Sequence, residues 1–358
     1  MAEPDGSPAP PGVPGHPPGE PGDLAGEPGH PGSVAEAGEF GLIGALAARF
    51  PAAPAATVGI GDDSAVLATP EGNVVAAVDF LLEGRHFRRD WSSGYDVGVK
   101  AAARSLADIA AMGAVPTALL LALALPGDLP AAWALDFAAG LAAECQRAGA
   151  GVIGGDTARA DQVIVSVTAL GSLPAGAAPV RRSGARPGDV VAVAGPLGHS
   201  AAGLALLAGG VRGGPDVVMA HLRPSPPYGA GPEAARLGAT AMIDTSDGLL
   251  ADLGHVARAS GVAIDIATGA LDLGGPLAEA VHLLAKTTPP PSPLPSPQEW
   301  ALTGGEDHSL AATFPASTAL PPRWRVIGTV RDGGAHECGL VTVDGVPHSG
   351  PGGWEHFR

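Results

Sequence analysis

Short apolar segments rich in Val and Ile alternate with longer segments of helical period along this chain. Residues 74–80, 152–153 and 163–170 resemble strands, and residues 95–112 and 133–148 carry Ala, Leu and Ile at the spacing of a helix face. Strands that alternate with helices in this way are typical of sheets covered by helices. The pattern therefore predicts a mixed α/β, or α+β, fold.

A second series of the same kind follows a basic turn, RRSGARPG, at residues 181–188. Its predicted elements are a strand at 189–194, helices at 199–207 and 247–259, and strands near 262–266, 309–314, 324–330 and 340–343. A domain of ordinary size has about 150 residues. We therefore expect two domains, one over residues 37–180 and one over residues 181–358.

Two proline-rich stretches interrupt this alternation. Residues 1–32 contain ten Pro and eight Gly and almost no large apolar side chain, which is typical of disordered segments. We expect residues 1–36 to be a tail outside the fold. The second stretch, PPPSPLPSP, lies within residues 287–298, which we expect to form a surface loop rather than a ligand for an SH3-type domain.

Charge, hydropathy and cysteine content exclude several classes of protein. The formal net charge of -16 repels nucleic-acid backbones. No apolar run reaches the ~18 residues of a membrane span, and no secretion signal begins the sequence, so we expect a cytoplasmic protein with no membrane partner. Cys145 and Cys338 lack neighbours at metal-ligand spacing, so neither a disulfide framework nor a zinc site is predicted.

Aspartates recur in short polar breaks or beside apolar structure, and these positions are the candidate functional residues. They are the pair Asp62 and Asp63, Asp79, which we expect to close its strand, Asp108, Asp156, and the pair Asp244 and Asp247. Carboxylates so placed are costly to desolvate unless a cation meets them. Magnesium prefers carboxylate and phosphate oxygens. The set therefore predicts a metal-phosphate site.

Each aspartate taken singly also has a structural interpretation. Asp62 and Asp63 could form a turn, and Asp156 could form an Asx turn. Ser246 or Asp247 could cap a helix, and Asp108 could pair with Arg104 one turn earlier. What favours the site is their joint occurrence in one chain.

The common glycine cradles for phosphate are absent from the sequence, which contains no Walker A motif, kinase catalytic loop or dinucleotide fingerprint. The turn at residues 198–203 could offer backbone donors to an anion at a helix start, but such turns are common. Phosphate binding through metal ions remains the better interpretation.

Eight motifs in register resemble the thiamine-monophosphate kinase family. In order they are GEF, GIGDDSAVL, VDFLLEGRHF, SLADIAAMGA, GGDT, RSGARPGD, DTSDGLLADLGH and TGGED, and the match continues to GWEHF near the end of the chain. The wider superfamily includes aminoimidazole ribonucleotide synthetase, selenophosphate synthetase and a hydrogenase maturation protein. The segments GEFGLI, EGRHF and GWEHF favour the kinase family over these relatives.

The resemblance implies an aminoimidazole ribonucleotide synthetase-like fold of two domains. Its N-terminal half would form a barrel in a homodimer, its C-terminal half would be an α/β sandwich, and ATP would bind between the halves. The implied reaction is ATP-dependent phosphorylation of thiamine monophosphate to thiamine diphosphate, with ATP as co-substrate and several Mg²⁺ ions.

The resemblance also assigns residues, position by position. The implied metal ligands are Asp63, Asp79, Asp108, Asp156, Asp244 and Asp247, with the backbone of Ala77 and Val78. The residues implied to touch ATP are Gly155, Asp156, Arg182 and Ser246. Those implied to line the thiamine phosphate site are His86, Glu306 and Trp354, and Trp can stack on a cationic ring.

Three positions, in two motifs, depart from the family pattern. Ala77 and Val78 stand where Ser-Thr is usual, so a side-chain hydroxyl ligand is lost there, and His308 replaces the usual aromatic residue after GGED. The first departure keeps two other hypotheses open. The chain could be another ATP-dependent member of the superfamily, or a nucleotide-binding protein that has lost catalysis.

Overall fold

Two β-sheets with their covering helices organise the part of the chain that the structure describes. The computed structural model describes residues 33–51, 53–54, 56–58, 66–67, 74–173, 176–212, 215–334, 337–350 and 352–354. The predicted mixed α/β fold is confirmed by these sheets and helices.

The first sheet is built from the N-terminal half. The elements there are α1 (Val34–Ala47), β1 (Ala56–Val58), β2 (Val66–Leu67), β3 (Val74–Leu82), α2 (Gly94–Ala111), β4 (Val115–Leu125), α3 (Ala131–Ala148), β5 (Gly151–Arg159) and β6 (Ile164–Ser172). β1 and β2 pair separately, and the other four strands form a sheet in the order β3-β6-β4-β5. Only β4 and β5 in this sheet run parallel; the other pairs are antiparallel.

Helix α2 packs on the first sheet and is buried along almost its whole length. Ser93 begins it with a capping box, in which the Ser93 hydroxyl accepts from the backbone N–H of Asp96 and the Asp96 carboxylate accepts from the backbone N–H of Ser93. Helix α3 lies close against it, since a Cβ at Gly98 would come 2.0 Å from the carbonyl oxygen of Phe137. This close packing fixes the side chains that α2 directs toward the sheet.

The second sheet is built from the C-terminal half. Its strands are β7 (Asp189–Ala194), β8 (Ala241–Asp244), β9 (Ala263–Ile266), β10 (Leu310–Pro315), β11 (Trp324–Arg331), β12 (Val341–Val343) and β13 (Val346–Pro347). Their order is β13-β12-β9-β11-β7-β10-β8. The helices of this half are α4 (His199–Ala208), α5 (Asp216–Leu222), α6 (Ala230–Arg236), α7 (Leu249–Ser260), α8 (Pro276–Leu284) and α9 (Pro297–Thr303), with a 3-10 turn at Thr268–Ala270.

One face of the second sheet packs on α7 and the other continues into the core of the first half. Val191, Ile243 and Ile264 share a cluster with the apolar residues of α7. Ala192 and Met242, each next in its strand to a residue of the first cluster, belong instead to the cluster that contains residues of α2 and α3. Strand alternation thus gives the second sheet two buried faces.

Most predicted elements are confirmed within one to three residues of their predicted ends. Ten further strands and helices were not predicted with bounds: β1, β2, β4, β8, β13, α1, α5, α6, α8 and α9. The expectation that Asp79 closes its strand is wrong, because β3 continues to Leu82 and pairs with β6 along its whole length. Asp79 therefore lies inside β3, and the alternation of side chains along this strand determines the face of the sheet on which its carboxylate lies.

The two proline-rich stretches are described only in part. Residues 1–32 lie outside the described residues, and residues 34–36, which the predicted tail includes, are helical because Ser33 caps α1 through the backbone N–H of Glu36. No helix or strand lies between Leu284 and Pro297, and Ser296 caps α9, so the end of the predicted loop at residues 297–298 is helical. The domain boundary near residue 180 stays a prediction.

Two further expectations concern the membrane and the barrel. Among the described helices, none has the length and apolarity to cross a membrane. Among the strands that the structure describes, the four-stranded sheet is open, with β3 and β5 as its edges. A barrel would need a second copy of the chain and stays a prediction.

Candidate active site

Three of the predicted metal-ligating aspartates converge where α2 passes between the two sheets. Asp79 shares the face of β3 that carries Leu81, and Ser105 of α2 donates from its hydroxyl to Oδ2 of Asp79 at 3.1 Å. Asp108, one turn later on α2, is close enough to Asp79 and Asp244 for their negative charges to act on its carboxyl. Asp244 ends β8 and is buried beside them.

Burial and the crowding of these carboxylates disfavour full ionisation. Burial, followed by the negative charges of Asp244 and Asp79, raises the pKa of Asp108 from 3.8 to about 8. Arg104 opposes this rise. A bound divalent cation would relieve the same repulsion, so these carboxylates suit Mg²⁺ by charge and by donor type, although the three do not form a single metal-binding group.

The described carboxylates do not form a complete metal cage. Within the described ranges, no three His, Cys, Asp or Glu side chains come together as a group that could hold a metal ion. Asp63, the remaining predicted ligand of this region, lies outside the described residues. Magnesium usually completes its coordination with water and substrate phosphates, so an incomplete protein cage is compatible with it.

Ala77 and Val78 lie in β3 and pair with Ala169 and Thr168 of β6. β3 is an edge strand, and consecutive carbonyls of a strand point to opposite sides. One of these two carbonyls therefore faces away from β6. A backbone ligand beside Asp79 is compatible with this geometry, although neither side chain offers an oxygen.

The turn after α9 brings Glu306 and His308 to the same region. Both residues have left-handed backbone, with φ of 68° and 52°, which is uncommon outside glycine and marks sites where surrounding structure holds the chain. The backbone N–H groups of Glu306 and His308 donate to the carbonyls of Ser246 and Thr245. These bonds place the turn directly beside the segment after Asp244.

His86 and Glu306, two of the predicted substrate residues, are connected through Lys100. The Lys100 ammonium donates to the carbonyl oxygen of His86 and lies 3.2 Å from Oε2 of Glu306. Arg104 donates from Nη1 to Oε1 of Glu306 at 2.6 Å. Burial alone would raise the pKa of Glu306, but Lys100 and Arg104 hold it well below its ordinary value.

Trp354, the third predicted substrate residue, lies at the start of α7. Its backbone N–H donates to the carbonyl of Asp247, and its side chain is 58% exposed. Asp252 of α7 accepts from the backbone N–H groups of Asp247 and Gly248. Burial and the negative charge of the nearby Asp244 raise the pKa of Asp252 to about 8. The charge of Asp252 is therefore coupled to that of Asp244.

Gly155 and Asp156 lie at the exposed side of the edge strand β5. A Cβ at Gly155 would come 2.0 Å from the carbonyl oxygen of Leu121, so glycine is required by the close strand. Oδ1 of Asp156 accepts from the backbone N–H of Thr157 at 2.9 Å. A cavity of about 100 Å³ opens here; Leu46, Ala47, Phe50, Leu121, Val152, Gly154, Gly155, Asp156 and Thr157 line it.

Arg182 lies apart from the carboxylate group. Its carbonyl accepts from the Ser260 hydroxyl at the end of α7, and its charge helps lower the pKa of His255, after the larger effects of burial and Arg258. Its predicted role at ATP stays a prediction.

Sequence reasoning missed four residues of this region and misjudged one turn. Lys100, Arg104, Asp252 and Asp307 were not singled out as functional, although charged residues inside apolar helices are a usable signal for the first two. Asp307 accepts from the backbone N–H groups of Gly198 and Ser200. The suggested anion site at this turn is therefore occupied by the protein's own carboxylate.

Comparison with known proteins finds a family model and two relatives that match this chain. Residues 61–173 match the family model described as AIR synthase related protein, N-terminal domain. The chain is 46% identical over 300 residues to the thiamine-monophosphate kinase of Mycobacterium tuberculosis, covering 84% of this chain and 86% of that protein. It is 40% identical over 266 residues to that of Escherichia coli, covering 72% and 76%.

A solved structure is similar to this chain in fold and in sequence. The structure of AaThiL complexed with AMPPCP and TMP matches with a TM-score of 0.71 and 33% identity, covering 90% of this chain and 98% of that one. Sequence identity over most of both chains, the matching fold and the aspartate cluster lead to one conclusion: the chain belongs to the thiamine-monophosphate kinase family.

Proposed function

We propose that this chain transfers the γ-phosphoryl group of ATP directly to the phosphate of thiamine monophosphate, giving thiamine diphosphate and ADP. The observation that carries the proposal is the convergence of Asp79, Asp108 and Asp244 beside the group of Lys100 and Glu306. Carboxylates for metal and cations for phosphate thus lie next to each other. The complex of a family member with AMPPCP, an ATP analogue, and TMP supports the choice of substrates.

The reaction needs positioning and charge neutralisation more than proton transfer. A phosphate acceptor is already ionised near neutral pH, so no general base is required. Bound Mg²⁺ would neutralise the charge of the reacting phosphates. Asp79, Asp108 and Asp244 would hold these ions, with Asp63, Asp156 and Asp247 as the further ligands that we propose. The rigid packing of α2 keeps its two contributions, Asp108 and the donor Ser105, in place for in-line attack.

The nucleotide and the acceptor would approach from different elements. We propose that Gly155, Asp156, Ser246 and Arg182 bind ATP. The apolar walls of the cavity beside Gly155 favour packing of a flat ring there. On the acceptor side, His86 and Glu306 lie together, and the exposed ring of Trp354 is available to stack on the thiamine ring.

A homodimer in the cytoplasm belongs to the same proposal. Strand β3 is an open sheet edge and exposes apolar side chains, with Val78 61% and Phe80 57% exposed. Exposed apolar edges are aggregation hazards unless another strand or surface covers them. A second copy of this sheet would cover the patch.

One coupled assay tests the function and separates it from the two alternatives. Purified protein, ATP, magnesium and thiamine monophosphate should yield thiamine diphosphate. Turnover only with a different acceptor would favour another superfamily activity, and nucleotide binding without any turnover would favour a protein that has lost catalysis.

Two variants connect this assay to the site. Asp108→Asn and Asp244→Asn should each reduce turnover by more than the ~10- to 100-fold that loss of an outer metal partner costs. Asp272→Asn, which changes an exposed aspartate paired with Arg325, is the matched control and should keep normal turnover. Near-normal activity in both site variants would refute the metal assignment.

A further inference from the structure

Two buried cations of α2 converge on one carboxylate. Lys100 and Arg104 are 2% and 8% exposed, and both are directed at Glu306, which the turn after α9 supplies. The two contacts engage different oxygens, Oε2 for Lys100 and Oε1 for Arg104. Glu306 therefore occupies a site with two cationic donors, which is the arrangement that an anion with several oxygens requires.

The negative charge of Glu306 is already paired with the charges of Lys100 and Arg104. Together Lys100, Arg104 and Glu306 carry a formal charge of +1, so Glu306 does not offer a free negative charge to a cationic ring. His221 lies nearby, but burial lowers its pKa to about 3, so it adds no charge near neutral pH. These three residues are net positive among themselves, and the neighbouring Asp79 carboxylate, 3.7 Å from Nη2 of Arg104, brings the local formal charge to zero.

Arg104 retains an unused donor. Its Nε is buried and has no hydrogen-bond partner among the described residues. Its Nη2 lies 3.7 Å from Oδ1 of Asp79, beyond hydrogen-bonding distance. A buried unpaired donor on a charged group is costly. An incoming anion could accept from Nε and from the Nη group that now serves Glu306.

Glu306 has the most exposed side chain of the three residues, although its Oε2 is buried. The side chain of Glu306 is 24% exposed, whereas those of Lys100 and Arg104 are 3% and 10% exposed. A ligand that approaches from solvent therefore meets Glu306 first. Displacement of this carboxylate would expose both cations without any movement of α2.

We propose that Lys100 and Arg104 bind the phosphate group of the monoester substrate, and that Glu306 occupies their donors in the free protein until phosphate oxygens replace its carboxylate. The identity of the ester, thiamine monophosphate, rests on the proposed function; the phosphate site itself rests on the contacts above. Oδ1 of Asp79 lies 3.7 Å from Nη2 of Arg104, so the bound phosphate would sit close to a proposed metal ligand.

Binding measured by calorimetry, without magnesium or nucleotide, tests the site independently of catalysis. Wild-type protein should bind thiamine monophosphate more tightly than thiamine, which has the same rings and no phosphate. Arg104→Gln and Lys100→Met should each weaken binding of thiamine monophosphate by about 10- to 100-fold and leave thiamine within about twofold, since charged hydrogen bonds contribute at this scale. Arg325→Gln, an exposed arginine paired with Asp272, is the matched control.

Glu306→Gln should change the affinity for phosphate in the opposite direction from the variants of Lys100 and Arg104. It removes the competing carboxylate and keeps both cations, so thiamine monophosphate and inorganic phosphate should bind more tightly than to wild type. A residue that attracted the cationic ring would instead lose affinity for thiamine as well. If Arg104→Gln and Lys100→Met fail to fold, as judged by circular dichroism, the affinities of Glu306→Gln alone test the phosphate site.

Several results would overturn the phosphate site. They are equal affinity of wild type for thiamine and its monophosphate, no detectable binding of the monophosphate at millimolar concentration, equal losses for both ligands in Arg104→Gln, and weaker phosphate binding in Glu306→Gln. Failure of the proposed function has a different signature. The wild type would then make no thiamine diphosphate, yet inorganic phosphate would still bind in a manner that depends on Arg104.

Discussion

Nδ1 of His308 lies 3.1 Å from Oδ2 of Asp244, and both side chains are almost fully buried. Because a carboxylate only accepts, the imidazole presents its Nδ1–H to Asp244 and fixes the orientation of that carboxylate. The position where the sequence departs from its family, after GGED, therefore acts directly on a proposed metal ligand and concerns more than local packing.

Removal of this contact should loosen the metal site. His308→Asn loses the ring donor, and asparagine tolerates the left-handed backbone found at this position. We expect magnesium affinity, measured by titration of the ATP-bound protein, to fall by about 10- to 100-fold. The exposed His282→Asn serves as control, and unchanged magnesium affinity in His308→Asn would show that the contact is only structural.

Stability without magnesium should fall as pH rises. The pKa of Asp108 is 3.8 in its ordinary state and about 8 in the fold. A carboxyl whose pKa is raised on folding stabilises the fold fully below about pH 4, and this contribution is lost as pH rises through about 8. Magnesium binds the ionised form, so its stabilising effect should be larger at pH 9 than at pH 6.

Thermal unfolding at the two pH values, with and without magnesium, measures this effect. Asp108→Asn should reduce both the pH dependence and the magnesium effect, whereas Asp272→Asn should leave them as in wild type. A magnesium effect of equal size at both pH values would contradict the assignment of Asp108.

Gly155, where β5 pairs with β4, should not tolerate an added methyl group. In Gly155→Ala the new Cβ would meet the Leu121 carbonyl at 2.0 Å, and the strands must separate. We expect the free energy of unfolding to fall by about 1–3 kcal/mol in denaturant titrations. The neighbouring Gly154→Ala is the control, because its nearest atom, 3.3 Å away, belongs to the flexible Leu120 side chain. Equal losses in both variants would contradict this account.

The exposed edge strand should mediate self-association. Phe80→Asp places a charge on the apolar patch of β3 and should convert a dimer to a monomer in light scattering at micromolar concentration. Val346→Asp makes the same change at another exposed apolar position, in β13, and should not. A wild-type protein that is monomeric would refute the proposed dimer directly.

Local patterns were enough to predict much of the fold. The period of α2 and α3 and the Val-rich segments of β3, β6, β7 and β11 are visible in sequence because each buries a repeating face. The shorter α5, α6 and α9 were not predicted, since seven residues span only about two helical turns and carry little periodic signal.

The sequence by itself determined which side chains are chemically suited to a metal-phosphate site, because aspartates in apolar surroundings are costly without a cation. Motif order placed the chain in its family. Only the tertiary structure decided that Arg104 and Glu306, 202 positions apart, form an ion pair, and that His308 orients Asp244. Such contacts depend on how α2 packs against the turn after α9, and no local period along the chain encodes a distance between elements so far apart.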